Sequence, residues 1–192
     1  LWTAHGVQGN TITATARWYE IDLSGWPGSP ATMLQSGDIT VPNNQSTFYP
    51  AIAPNRRGEA AVVVAAASNS IMPSLQIAGR VQSDTYGSMS VPVQVAIGTS
   101  GADGRWGDYF DITVDPNNDV RFWYIGEYET GAGWQAYIGS AVITCIEDLD
   151  ENGAVNVTDL LSLIGAWGTS GIGADVAAPY DTVDVSDLLG IV

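Results

Sequence analysis

The chain has no lysine, one histidine and one cysteine, and its six basic residues, all arginine, face 21 acidic ones for a formal net charge of −15. That balance makes nucleic acid and anionic membrane surfaces poor partners. A single cysteine, Cys145, cannot build an internal disulfide framework, and one cysteine with one histidine, His5, leaves a zinc site without ligands. Cys145 either pairs outside this chain or is an inert thiol. No apolar run approaches the 18 or more residues of a membrane helix, so no membrane insertion is expected. Also missing are a phosphate-binding glycine loop ahead of a helix and a Gly-x-Ser-x-Gly nucleophile elbow. The chain opens on Leu1 with no charged segment leading into an apolar one, which reads as a protein processed or cut from something longer. At 192 residues it is long enough to bury a core in one or two domains.

Acidity concentrates in the tail, where everything after Cys145 lacks a basic residue. There Asp148-Leu-Asp-Glu-Asn-Gly-Ala-Val-Asn-Val-Thr-Asp159 has the spacing of a calcium loop. With Asp148 as the first position, side-chain oxygens fall at the third (Asp150), fifth (Asn152), ninth (Asn156) and twelfth (Asp159). Gly153 stands at the sixth, where the loop turns sharply, and the carbonyl of Ala154 fills the seventh. A hard cation with six to eight oxygen ligands needs that set. Without a cation the carboxylates crowd one another, and two of them about 5 Å apart repel by roughly 3 kcal/mol at an effective dielectric near 20. The plainer reading of the same residues is a solvated acidic turn with Thr158 or Asp159 capping a helix over Leu160–Trp167. Leu160, Leu161, Leu163, Ile164 and Trp167 then form one apolar face, to be matched by Leu188, Leu189 and Ile191.

The run from Asp148 to Leu161, with Val-Asp-Val-Ser-Asp-Leu-Leu at 183–189, resembles a dockerin-type pair of calcium-binding half EF-hands. More closely, it resembles the C-terminal dockerin-like module of large secreted proteins in planctomycetes and related bacteria. Aspartate at the twelfth position is part of that similarity. The resemblance implies a second calcium on Asp175, Asp181, Asp184 and Asp187, a paired-helix module over residues 145–192, and a protein partner. The second repeat departs from the pattern: Asp181 stands where the glycine belongs, and one extra residue lies near Pro179.

Residues 1–144 read as β throughout, in short runs of Val, Ile, Thr, Tyr and Trp divided by Gly, Pro, Asn and Ser. The expected strands are 1–7, 12–22, 32–41, 47–53, 60–67, 74–81, 91–97, 108–114, 120–128 and 134–143. An internal repeat of about 60 residues relates Tyr49–Asn55 and Ala60–Val64 to Phe110–Asn117 and Val120–Tyr124. At the same offset Ala16–Ile21, Leu75–Arg80 and Gln135–Ser140 recur. One antiparallel four-stranded unit per repeat follows. The segment then supplies the last three strands of one unit, one whole unit and the first three strands of the next.

With Arg105-Trp-Gly-Asp-Tyr109, Asp115-Pro-Asn117 and Phe122-Trp-Tyr124, this part loosely resembles the terminal blades of bacterial secreted sialidase-like propellers, in which each unit is a blade. The resemblance implies an arginine cluster and a tyrosine–glutamate pair. Candidates are Arg56, Arg57, Arg105, Arg121, Tyr109, Asp108, Glu127 and Glu129, none with a local signature. Asp108 suits a turn, Trp106 packing, and Glu127 and Glu129 share one strand face. No catalytic residue is assigned.

The expectation is therefore a mainly β protein: blade-like antiparallel sheets, a partial propeller or sandwich-like stack, over 1–144, then a dockerin-like calcium module over 145–192. The expected function is non-enzymatic: a calcium-stabilised secreted or cell-surface protein for attachment or assembly, with Leu1–Val7 or Trp134–Ile143 pairing with a further copy. The alternatives are that those edges are covered by the rest of a longer polypeptide, that the chain ends a glycan-acting propeller enzyme, or that its aromatics form a carbohydrate-binding surface.

Overall fold

The computed structural model describes residues 1–9, 13–43, 45–102, 106–117, 119–143, 148–149, 155–169, 182–184 and 187. Ten strands carry the β part: β1 (Trp2–Gln8), β2 (Ala14–Asp22), β3 (Thr32–Ile39), β4 (Ser46–Pro54), β5 (Ala60–Ala67), β6 (Ser74–Arg80), β7 (Val93–Ala96), β8 (Asp111–Val114), β9 (Phe122–Thr130) and β10 (Gly133–Ala141). Each expected strand is present. The largest shortenings, of three residues each, are at β7, which begins only after Pro92, a residue with no N–H to give a ladder, and at β8, which begins at Asp111.

The strands form three antiparallel sheets, ordered β1-β2-β3, β4-β5-β6-β7 and β10-β9-β8. The middle sheet has the other two on its opposite faces, β4 meeting β1, β2 and β8, and β5 and β6 meeting β9. Only that sheet has four strands; three, four and three is the count the internal repeat predicts. Among the described residues the sheets close into no ring or barrel.

The continuous apolar run Ala60–Ala67 dictates this stacking, because a strand without polar alternation must be covered on both sides. Its side chains divide by parity. Val62 and Val64 join Ala78, Ala16, Trp18 and Ile39 in one cluster, while Ala61 and Val63 join Leu75, Ile77, Ala96, Ile112, Phe122 and Tyr124 in the other. Fully burying a valine or leucine contributes roughly 1.5–3 kcal/mol, so β5 and β6 hold the three layers together. At Gly126 on β9 a Cβ would overlap Leu75 Cδ1, so the bare backbone lets β9 close onto β6.

Polar links stitch the layers where backbone ladders end. Thr47 Oγ1 accepts from Ala16 N at 2.9 Å and donates to Ile39 O at 2.9 Å, deep between the first and second sheets. Arg80 lies beside that interface, its guanidinium 5.5 Å from the Trp18 ring and 5.9 Å from the Trp2 ring, with Nε donating to Ser88 O. Between the second and third sheets, Asn55 Nδ2 donates to Val120 O at 3.1 Å, and Arg56 N donates to Asp119 O at 3.2 Å.

Asn55 also organises its own turn, its Oδ1 accepting from Arg57 N at 3.0 Å and Glu59 N at 3.1 Å. In the third sheet the equivalent is Asp115, whose Oδ1 accepts from Asn117 N at 2.9 Å and whose backbone N donates to Arg121 O at 2.7 Å. The Pro-Asn match aligns Asn55 with Asn117, but the structural equivalence is Asn55 with Asp115.

The tail contains one helix among its described residues, α1 (Val157–Gly165). It starts earlier than the expected Leu160, because Asn156 rather than Thr158 or Asp159 is the N-cap. Leu163 is fully buried, while Leu161, Ile164 and Trp167 are exposed, so the expected apolar face is only partly covered. Val183, also fully buried, accepts from Gly168 N at 2.9 Å and donates to Thr169 O at 2.9 Å. This backbone pairing brings the two halves of the tail together. Leu188, Leu189 and Ile191, the expected partner face, lie outside the described residues, and no helix pair is seen among the described residues. No helix among them is long and apolar enough to cross a membrane.

Candidate functional site

Of the first candidate loop, Asp148, Asn156 and Asp159 are described; Asp150, Asn152 and Ala154 lie outside the described residues. Asn156 has an extended backbone (φ −151°, ψ −167°), and its Oδ1 accepts from both Thr158 N and Thr158 Oγ1 at 2.8 Å. Asp159 answers with Oδ2, which accepts from Asn156 N at 2.8 Å, closing a capping box. The box fixes the ninth and twelfth positions of the loop on one side of the helix start. Asp148, the first position, is 2 % exposed and Asp159 0 %.

The second candidate loop repeats this element. Asp187 Oδ2 accepts from Asp184 N at 2.7 Å, the same three-residue reach as Asp159 to Asn156, and Asp187 is 1 % exposed. Asp175 and Asp181 lie outside the described residues. The buried carboxylates Asp148, Asp159 and Asp187 thus sit in a segment with no basic residue of its own. Burying charge is costly unless it is paired or coordinates a metal. The donor set is all hard oxygen and fits Ca2+. Among the described residues alone, no group of three or more acidic, histidine or cysteine side chains is close enough to hold an ion.

One base does reach the loop from the β part. Arg57, in the β4–β5 turn, donates from Nη2 to the main-chain carbonyl of Asp148 at 3.2 Å. Nothing in the sequence pointed to this contact, since 91 residues separate the partners.

Of the residues considered for glycan chemistry, Asp108, Tyr109 and Glu127 line one cleft, and none of the described arginines lines it. Arg56 and Arg57 belong to the β4–β5 turn, Arg121 Nη1 donates to Ser140 Oγ at 3.2 Å, and Arg105 lies outside the described residues. His5 is on the outward face of β1, its ring 5.2 Å from that of Tyr19 and opposite Arg17 in register.

Glu127 and Glu129 do share a face of β9, the one turned away from the core, and both are buried, at 2 % and 4 % exposed. The residues just before β8 cover Glu127. Gly107 takes φ +98°, a conformation glycine favours, and a Cβ there would overlap the Tyr49 ring. Its N–H donates to Glu127 Oε2 at 2.7 Å. Trp106, Gly107, Asp108, Tyr109, Glu127 and Trp134 line a cleft of about 280 Å³. The Tyr109 and Trp134 rings stand 5.9 Å apart and tilted by 35°. Trp134, directly opposite Glu129 in the β9–β10 register, was missed as a lining residue. The Gly131-Ala-Gly133 turn that sets this register was the signal available in the sequence. On one strand face Glu127 and Glu129 lie about 7 Å apart, a separation at which two carboxylates repel by roughly 2 kcal/mol at an effective dielectric near 20.

No protein-family model matches the chain, and no curated protein or solved structure matches it.

Proposed function

We propose that this chain is a non-enzymatic, calcium-stabilised secreted or cell-surface protein used for attachment or assembly. The observation that carries the reading is the burial of Asp148 and Asp159, the two ends of a loop with calcium spacing. Asp148, Asp150, Asn152, the Ala154 carbonyl, Asn156 and Asp159 would hold one Ca2+. Asp175, Asp181, Asp184 and Asp187 would hold a second, a reading supported by the repeated contact between the three-apart residues 184 and 187. The ion supplies positive charge that offsets the buried carboxylates, and because it binds the folded tail it stabilises that state by mass action. In this reading the tail is a dockerin-like module and the three sheets are successive blades of a partial propeller. Calcium is abundant outside the cell, which suits a loop of this ligand count.

Assembly enters through the sheet edges. β1 and β10 are each the last strand of a three-stranded sheet beside a four-stranded one. Among the described residues the outer edge of each pairs with no further strand, and without lysine the chain lacks a common form of edge protection. A strand added by a second copy, or by another protein, would complete the unit.

Isothermal titration of the metal-free chain with Ca2+ tests the reading. It predicts at least one saturable site, selective over Mg2+ and lost in Asp148→Ala and Asp159→Ala. Titration without heat at any Ca2+ concentration up to several millimolar would overturn it.

A further inference from the structure

The cleft over the third sheet carries an inference separate from the calcium loop. Its floor is Glu127, 2 % exposed, on a strand face whose neighbouring acid, Glu129, is 4 % exposed. Among the described residues Glu127 receives one side-chain hydrogen bond, from Gly107 N at 2.7 Å, and no basic side chain forms an ion pair with either acid. A carboxylate shut away from water with no cationic partner among the described residues is a charge that a bound cation would balance. Over it stand two exposed rings, Tyr109 and Trp134, with centroids 5.9 Å apart. Aromatic faces attract cations through their quadrupole, most strongly where water is thin. Asp108, exposed, lines the same space.

We propose that this cleft binds an organic cation, an ammonium or guanidinium group carried on an apolar stem. The charged head sits against Glu127, and the stem lies along Tyr109 and Trp134. Anionic ligands are disfavoured by the lining carboxylates and by a chain charge of −15, which instead concentrates cations near the surface. A neutral saccharide would use the rings but draw nothing from the charge of Glu127, and that difference separates the two ligand classes. The cation can come from a free amine or from a lysine or arginine side chain of a protein partner.

The test follows the indole N–H signals of the 15N-labelled full chain at saturating Ca2+, so that the state of the tail is constant. The probes are tetramethylammonium, n-butylammonium, n-butylguanidinium, N-acetyl-lysine amide, and the neutral tert-butanol and methyl glucoside. The Trp134 signal, identified by its loss in Trp134→Phe, should shift saturably with the organic cations and not with the neutral probes. Glu127→Gln, which keeps an acceptor for Gly107 N, should weaken cation binding at least tenfold, and Tyr109→Ala, a change at the surface, should weaken it severalfold. N-acetyl-lysine amide binding as well as n-butylammonium assigns the cation to a protein side chain, and its failure beside a binding free amine assigns it to a small molecule. Equal shifts with methyl glucoside or tert-butanol, undiminished cation binding by Glu127→Gln, a response to inorganic ions only, or no shift with any probe would each overturn the proposal.

Discussion

Arg57 Nη2 donates to the carbonyl of Asp148 at 3.2 Å, joining the turn between β4 and β5 to the first residue of the candidate calcium loop. The same turn is tied to the third sheet through Asn55 and Arg56. The loop is thereby anchored at a point where two sheets already meet. Arg57→Ala should loosen the tail by roughly 1.5–3 kcal/mol, the range for a hydrogen bond that involves a charged group. Hydrogen exchange should then quicken in residues 155–169 while β5 and β6 keep their protection. Equal loss of protection in β5 would mean that the contact supports the core rather than the tail.

The approach of β9 to β6 depends on Gly126 meeting the Leu75 side chain. Gly126→Ala should destabilise by about 1–3 kcal/mol through overpacking, and Leu75→Ala by about 2–5 kcal/mol through cavity formation. Made together, the two should cost less than their sum, because the added methyl enters the space left by leucine. Urea unfolding of the four proteins measures the coupling, and strict additivity would show that the two side chains do not meet.

Asp115 accepts from Trp123 Nε1 at 2.9 Å and from Asn117 N, and these hydrogen bonds hold its carboxyl below the usual carboxylate range. A folded-state pKa below the unfolded one contributes stability that is present above the ordinary carboxylate range and is lost as pH falls through the folded value. Asp115→Asn should therefore narrow the stability difference between neutral and strongly acidic solution. An unchanged pH slope in the variant would remove Asp115 from the acid response.

The outer edges of β1 and β10, which pair with no strand among the described residues, make association the expected outcome of the assembly proposal. Ile138, on β10, is strongly exposed, and Ile138→Lys puts a charge of the protective kind on that edge. Solution scattering should show elongated species growing with concentration in the parent and suppressed in the variant. Monodisperse monomers at every concentration would end the assembly reading.

The β part was legible because its burial is coded locally. An apolar run such as Ala60–Ala67 has one solution, coverage on both faces, and strands such as β1 and β9 stop just before a glycine, Gly9 and Gly131. The repeat then grouped the strands three, four and three. What escaped depended on distance or on single turns: the reach of Arg57 to Asp148, the folding of Gly107 over Glu127, and the equivalence of Asn55 with Asp115, hidden by two prolines in tempting alignment. At α1 the apolar spacing suggested one buried face, yet Leu161 and Ile164 are exposed beside the buried Leu163. Periodicity names the side of a helix that could be covered, while the covering element decides how much of it is.

The most direct measurement is hydrogen exchange of the intact chain, read peptide by peptide, in excess Ca2+ and after chelation. Chelation should abolish protection across α1 and around Val183 while strands β4 to β10 exchange as before, and Asp159→Ala in excess Ca2+ should reproduce the chelated pattern. Identical tail protection with and without Ca2+ would contradict the calcium reading.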